Sequence, residues 1–265
     1  MLTAMLRRLV MLAAAVIVTV GAPASAAEAP PGALRLSPEI AGKRSALDVD
    51  LGPGALTGGA QSRRPQSVAL FGAAGLKIDL RAVAGRCPDS GAGRFDCPES
   101  SRIGRGTAQG HAEGALVPGG RYDFTAQIDV FLGHPREPGD LAGLVVKVSE
   151  PQSNQHLMAG GSIRRIAQGP FGSETRIDSL SGGSEPPPGV TVTLDRVQLR
   201  VAASRTVRRK VTVRRHGKRR RVTRRVRYGF LTNPRTCAGS WPYRVHVEYS
   251  DGGEDFNGTV PCRTG

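Results

Sequence analysis

The sequence predicts an all-β fold, an antiparallel sandwich or jelly-roll-like arrangement with a protruding basic β-hairpin. Three observations carry that expectation. Apolar residues recur with period two in at least four separate runs, which marks strands with one dry and one wet face. No segment sustains the apolar stripe of an amphipathic helix. Gly and Pro supply 35 and 19 of the 265 residues, enough turn formers to separate many short strands yet below the roughly 25–30% of a disordered tract. Collagen, coiled-coil and helical-bundle architectures are thereby disfavoured.

In chain order, Met1–Ala26 reads as a signal peptide. Arg7 and Arg8 precede an uncharged apolar run from Leu9 to Val20, and Ala24-Ser25-Ala26 forms the small-x-small cleavage site near Ala26. Residues 27–33 are a flexible Pro/Ala/Gly lead-in, and 34–265 a single β-sandwich domain. Past the leader no apolar run is long enough to predict a transmembrane helix. Gly52–Gln66 is Gly-rich and polar, hence a loop. Leu76, Ile78 and Leu80 alternate with Lys77, Asp79 and Arg81 as a strand. Ile103 opens another, in which Gly104 and Gly106 permit close backbone approach. Tyr122, Phe124, Ala126, Ile128 and Val130 alternate over a long strand, and the more continuously apolar Leu141–Val148 reads as a central one. Ala159-Gly160-Gly161-Ser162 reads as a turn. Ser181–Gly189, with three consecutive prolines, is either a crossover or, in the alternative with two β domains, the boundary near 181–189. Val190, Val192 and Leu194 alternate, then Val197, Leu199 and Val201 continue one residue out of step, which predicts a bulge at Asp195-Arg196. Trp241, Tyr243, Val245, Val247 and Tyr249 form a last clear strand.

The net charge of +15 is concentrated rather than spread. Arg205–Arg227 holds thirteen Lys and Arg and no Asp or Glu. Setting these and the two leader arginines aside leaves 22 of the 37 basic residues against 22 acidic ones. The body is neutral and one segment carries the field, which points to a polyanionic partner. His216-Gly217 reads as a two-residue hairpin turn, Gly accepting positive φ. That turn sets Val207 opposite Val226 and Val211 opposite Val222. One face of the hairpin then gathers Arg208, Lys210 and Arg214 with Arg219, Arg221 and Arg225. These six are the candidate anion-binding residues. Arg208/Arg225 and Arg214/Arg219 fall directly opposite, and like charges in cross-strand register destabilise a hairpin that has no counter-anion.

Cys87, Cys97, Cys237 and Cys262 are an even set, which in an exported chain predicts two disulfides. Three pairings are open. Cys87–Cys97 and Cys237–Cys262 are favoured, because each pair brackets a turn-rich stretch. Their spacings are too long for the short C-x₂₋₄-C of a zinc site.

Cys97-Pro98-Glu99-Ser100-Ser101-Arg102-Ile103-Gly104 and Leu231-Thr232-Asn233-Pro234-Arg235-Thr236-Cys237, the second followed by a Trp-headed hairpin ending at Cys262, resemble elements of secreted β-rich proteins of high-GC actinobacteria. The resemblance implies an exported β-rich protein and carries no activity over.

His111, His134, His156, His216 and His246 read as surface or turn residues without metal-ligand spacing. G-x-S-x-G, H-E-x-x-H and P-loop patterns are absent. Asp251–Gly258 is acidic but lacks the order of a calcium loop, and a hairpin tip explains it. No cofactor is implied. The sequence therefore points to an exported, non-enzymatic protein of the cell envelope or extracellular space. Its basic hairpin would contact an anionic cell-wall polymer, an acidic lipid surface or extracellular DNA, without sequence readout. Two alternatives stand beside this: a structural or partner-binding envelope protein with a merely solvated hairpin, and a secreted hydrolase built outside the familiar motifs.

Overall fold

The computed structural model describes residues 34–51, 65–89, 96–151, 155–178, 189–215, 218–249 and 252–265. The expected leader, the lead-in, most of the loop at 52–66 and the proline segment up to 188 lie outside the described residues. The fold is all-β and antiparallel, as expected. Its strands are β1 (Leu34–Ser37), β2 (Arg44–Leu51), β3 (Pro65–Ala73), β4 (Lys77–Ile78), β5 (Arg102–Gly114), β6 (Arg121–Gly133), β7 (Asp140–Glu150), β8 (Gln155–Gln168), β9 (Phe171–Asp178), β10 (Val190–Val201), β11 (Ser204–Arg215), β12 (Lys218–Gly229), β13 (Leu231–Thr232), β14 (Ser240–Tyr249) and β15 (Gly252–Pro261).

Thirteen strands form one sheet in the order β15-β14-β3-β9-β8-β7-β6-β5-β10-β2-β13-β4, with β1 on the other flank of β2. A sheet this long must curl to hide one face. Register shifts interrupt six of its ladders, including the one at Leu194/Arg196 that leaves Asp195 as the expected bulge, and each such irregularity adds local twist. The curl brings the two ends of the sheet over each other. Leu36 of β1 packs with Ala73 of β3, Trp241 and Tyr243 of β14 and Val260 of β15, and Ile40 bridges Arg263. The path does not close into a barrel; a sandwich-like body results. Its main core draws on β5 to β8 and β10, with Ala108, Ala126, Leu132 and Ala142 fully buried at its centre.

Local chemistry explains the cleanest elements. In β6 the residues Phe124, Ala126, Ile128 and Val130 are buried while Asp123, Thr125 and Gln127 are exposed, which is the expected alternation. β7 lies between β6 and β8, a central position, as its continuous apolar run implies. Gly104 and Gly106 of β5 lie against β10, where a Cβ on Gly106 would run into the Gln198 carbonyl oxygen. Disulfides join Cys87 to Cys97 and Cys237 to Cys262, with Cα separations of 4.8 and 5.8 Å. Asn233 ties the return of the chain to its start. Its Nδ2 donates to the carbonyls of Pro38 and Ile40 at 2.8 and 3.0 Å, while Ser45 Oγ donates to its Oδ1 at 2.5 Å.

Four local expectations are corrected. Ala159–Ser162 is not a turn but the middle of β8; Gly161 admits the Arg176 carbonyl of β9, and the Arg136 guanidinium lies over Gly160. The strand expected over Leu76–Arg81 shrinks to the two residues of β4 and is followed by a 3-10 turn, Leu80–Ala82, whose cap is the Asp79 carboxylate accepting from the Arg81 amide at 3.0 Å. The acidic stretch from Gly252 to Gly258 is strand β15, not a hairpin tip. Pro65 and Gln66, expected in a loop, open β3. β9 and β10, which flank the proline segment, belong to the same sheet.

Candidate anion-binding ribbon

β11 and β12 pair only with each other, as a two-stranded ribbon. Val, Thr and Arg dominate both strands, and β-branched residues favour the extended pleat. The ladder sets Val207 opposite Val226, Arg208 opposite Arg225, Val211 opposite Val222 and Arg214 opposite Arg219. This is the register that a two-residue turn at His216-Gly217 requires; the turn residues themselves lie outside the described residues.

The ribbon grows out of the sheet at one point. β10 ends at Val201 beside Leu47 of β2, and β13 resumes at Leu231 beside Ser45 of the same strand. Between them the chain leaves and returns, and the gap is stapled by the Phe230 amide donating to the Ala203 carbonyl at 2.9 Å. The 3-10 turn after β4 braces this root. Arg81 pairs with Asp79 through two contacts of 2.8 Å and lies 4.4 Å from the Tyr228 ring centre. The hydrogen bond from Arg81 holds the Asp79 carboxyl below the usual carboxylate range, against the opposing effect of burial. On the other strand Arg205 donates to the Val83 carbonyl at 3.4 Å.

Above the root the charges stand free of the body. Arg208, Lys210, Arg214, Arg219, Arg221 and Arg225 are all exposed, and among the described residues no carboxylate pairs with them. Strand parity adds a seventh cation that the sequence reading missed. Arg227 lies opposite Thr206 on the same face, donating to Ser204 Oγ at 3.2 Å. Counting alternate residues on from Arg225 would have found it. Along a strand, same-face neighbours are about 6.7 Å apart, and adjacent strands about 4.8 Å. Both spacings lie inside the roughly 8 Å screening length of physiological salt, so the cations repel one another unscreened. A multivalent anion relieves that repulsion and gains several contacts at once.

The histidines offer no rival centre. His134 is in a loop, as expected; His216 lies outside the described residues. His111 sits on β5, with Nδ1 3.0 Å from Asp195 Oδ2 at the bulge, and His156 on β8, with Nδ1 3.0 Å from Ser149 Oγ. His246 on β14 is held between Asp255 at 2.7 Å and Glu248 at 3.0 Å. Partial burial disfavours its charged form, but the two carboxylates outweigh this and raise its pKa above the ordinary histidine value. Among the described residues no three His, Cys, Asp or Glu side chains are grouped to hold a metal, and no helix is long and apolar enough to cross a membrane. No family model, no curated protein and no solved structure matches the chain.

Proposed function

We propose that this is an exported protein of the cell envelope or extracellular space that binds anionic polymers or surfaces through the β11–β12 ribbon, without catalysis. One observation carries the reading: six cations on one face of a ribbon, without a carboxylate partner among the described residues, attached to a body whose own charges balance. The two disulfides support the compartment, since such bonds persist where the surroundings are oxidising, and so does the resemblance to secreted β-rich proteins. The cations sit on a regular pleat with Thr206, Thr212 and Thr223 between them and no aromatic residue on that face, which favours contact with phosphate or carboxylate groups over base stacking.

The test is binding of the protein to linear polyphosphate and to duplex DNA across a salt series. Affinity should fall by roughly 10³-fold between about 50 and 200 mM salt, the dependence set by contacts to six or so phosphates. Replacing Arg208, Arg214, Arg219, Arg221 and Arg225 by Ser should abolish binding to both. Binding that ignores salt or survives the five substitutions would overturn the proposal and leave a solvated ribbon.

A further inference from the structure

The second face of the ribbon is unlike the first. Val207 and Val226 face each other there, as do Val211 and Val222, while Val213 lies opposite Arg220, and Arg205, Arg209, Arg215, Lys218 and Arg224 share the face. All five are only half-buried. The fringe of the main core reaches Ala203 and Tyr228 at the root but includes none of the five. On the first face the uncharged positions in the middle of the ladder are Thr206, Thr212 and Thr223; on this face they are valines, with Tyr228 at the root. Both residue types suit a strand, so strand propensity does not explain why one face takes the hydroxyl and the other the methyl. Leaving five valines wet on a charged ribbon is unfavourable unless something apolar meets them.

We propose that the ribbon docks on a lipid bilayer rich in anionic head groups, its valines entering the boundary between head groups and acyl chains. This rests on the anion-binding reading above and names the ligand's source. A soluble polyanion would satisfy the arginines and leave the valines in water. A lipid surface presents phosphates and apolar chains within a few ångströms of each other, the depth to which an interfacial amphipathic element settles. Arg209 and Arg224 fit the same geometry. They face each other between the two valine pairs and are exposed. Their long stems can lie along the apolar boundary while the guanidinium groups reach back to phosphates. A second copy of the ribbon packing valine to valine would instead drive these arginines against their counterparts. The ribbon lies along the surface rather than crossing it, because the outer edges of both strands carry backbone groups that hydrocarbon cannot satisfy. The seven cations of the other face then lie at the level of the head groups, where their long side chains meet the lipid phosphates.

The experiment compares the exported form of the protein with a variant carrying Val→Thr at 207, 211, 213, 222 and 226. Threonine keeps the branched shape and the strand preference, and matching circular dichroism confirms the fold; should the fivefold variant fail to fold, V211T with V222T gives the same direction with a smaller size. The probes are linear polyphosphate, vesicles of phosphatidylcholine with phosphatidylglycerol, and vesicles of phosphatidylcholine alone. The wild type should bind polyphosphate and anionic vesicles, bind neutral vesicles far more weakly, and keep part of its anionic-vesicle binding at about 0.5 M salt, where exposed charges are screened beyond a few ångströms. The threonine variant should bind polyphosphate unchanged and anionic vesicles about tenfold more weakly, fully released by salt. If it binds vesicles like the wild type, or if the wild type binds polyphosphate but no vesicle, the lipid inference falls and the anion-binding reading stands. Binding to none of the probes overturns both.

Discussion

The body and the ribbon treat the same residue types in opposite ways. In the body many of the described arginines have a counter-charge. Arg196 grips Asp50 through contacts of 3.0 and 2.9 Å, Arg200 reaches Asp48 at 2.5 Å, and Arg164 clamps Asp140 at 2.6 Å together with Glu137. Valines there are interior: Val130, Val148 and Val197 are all buried. Among the described residues the ribbon's arginines have no carboxylate partner, and its valines join none of the core clusters. The two strands of the ribbon thus depart from the pattern of the sheet in both respects.

Breaking that contrast starts with the core. Leu132 is fully buried, so Leu132→Ala should lower the unfolding free energy by about 2–5 kcal/mol, because the surrounding strands cannot collapse into the space. Val211→Ala, on the ribbon, should cost about 1 kcal/mol or less. Urea unfolding of both variants measures the gap; equal losses would mean that the ribbon packs as core. Next in size is the disulfide at the sheet edge. Replacing Cys237 and Cys262 by Ser should remove about 3 kcal/mol by freeing the unfolded chain, with polyphosphate affinity unmoved, since neither cysteine belongs to the ribbon strands. A parallel loss of affinity would show that the two regions are coupled.

A smaller effect sharpens the picture of the ribbon itself. Arg208→Ser with Arg225→Ser removes one directly opposed pair of like charges and should stabilise the ribbon by about 0.2–1 kcal/mol. Amide hydrogen exchange would report slower exchange in β11 and β12 and none of that change in β6 to β8. Added polyphosphate should slow the same amides in the wild type. The smallest effect belongs to His246. Its folded pKa lies above the ordinary value near 6.5, so its contribution is fully present below that value and is lost as pH rises through the folded pKa. Stability of the wild type relative to His246→Gln should therefore decline as pH is raised from about 6 to 8. A flat difference across that range would show that Asp255 and Glu248 do not favour the charged ring.

What the sequence made legible follows from which forces are local. β6 up to Val130, β14 and β10 with its bulge at Asp195 are each written in alternation, because successive side chains point to opposite faces of the sheet. The ribbon's register was equally readable, since one turn position determines all twelve pairs. β8 was not, because Gly160 and Gly161 signal a turn locally, whereas here they make room for Arg136 and for the backbone of β9. β15 hid for a related reason: its Gly258 lies under the Tyr243 ring, where a Cβ would clash, and its acidic neighbours looked like loop. Leu76, Ile78 and Leu80 alternated convincingly, but the Asp79 cap turned the chain after two residues. The valine face of the ribbon was visible as a row of apolar residues; that none of its valines joins a described core cluster required the fold. The curl that stacks β1 against β14 and β15 depends on contacts some two hundred positions apart, and no local pattern encodes it.

The staple between Ala203 and Phe230 has an evolutionary consequence. The two residues that begin and end the excursion are already hydrogen-bonded neighbours, and the pieces of sheet on either side run in line along β2. A tight turn could close the gap without re-threading a strand. Insertions and deletions are tolerated best where the chain's entry and exit points touch. The body is thus a socket and the ribbon a cartridge: its length, charge and apolar content can drift or be exchanged while the scaffold below keeps its topology.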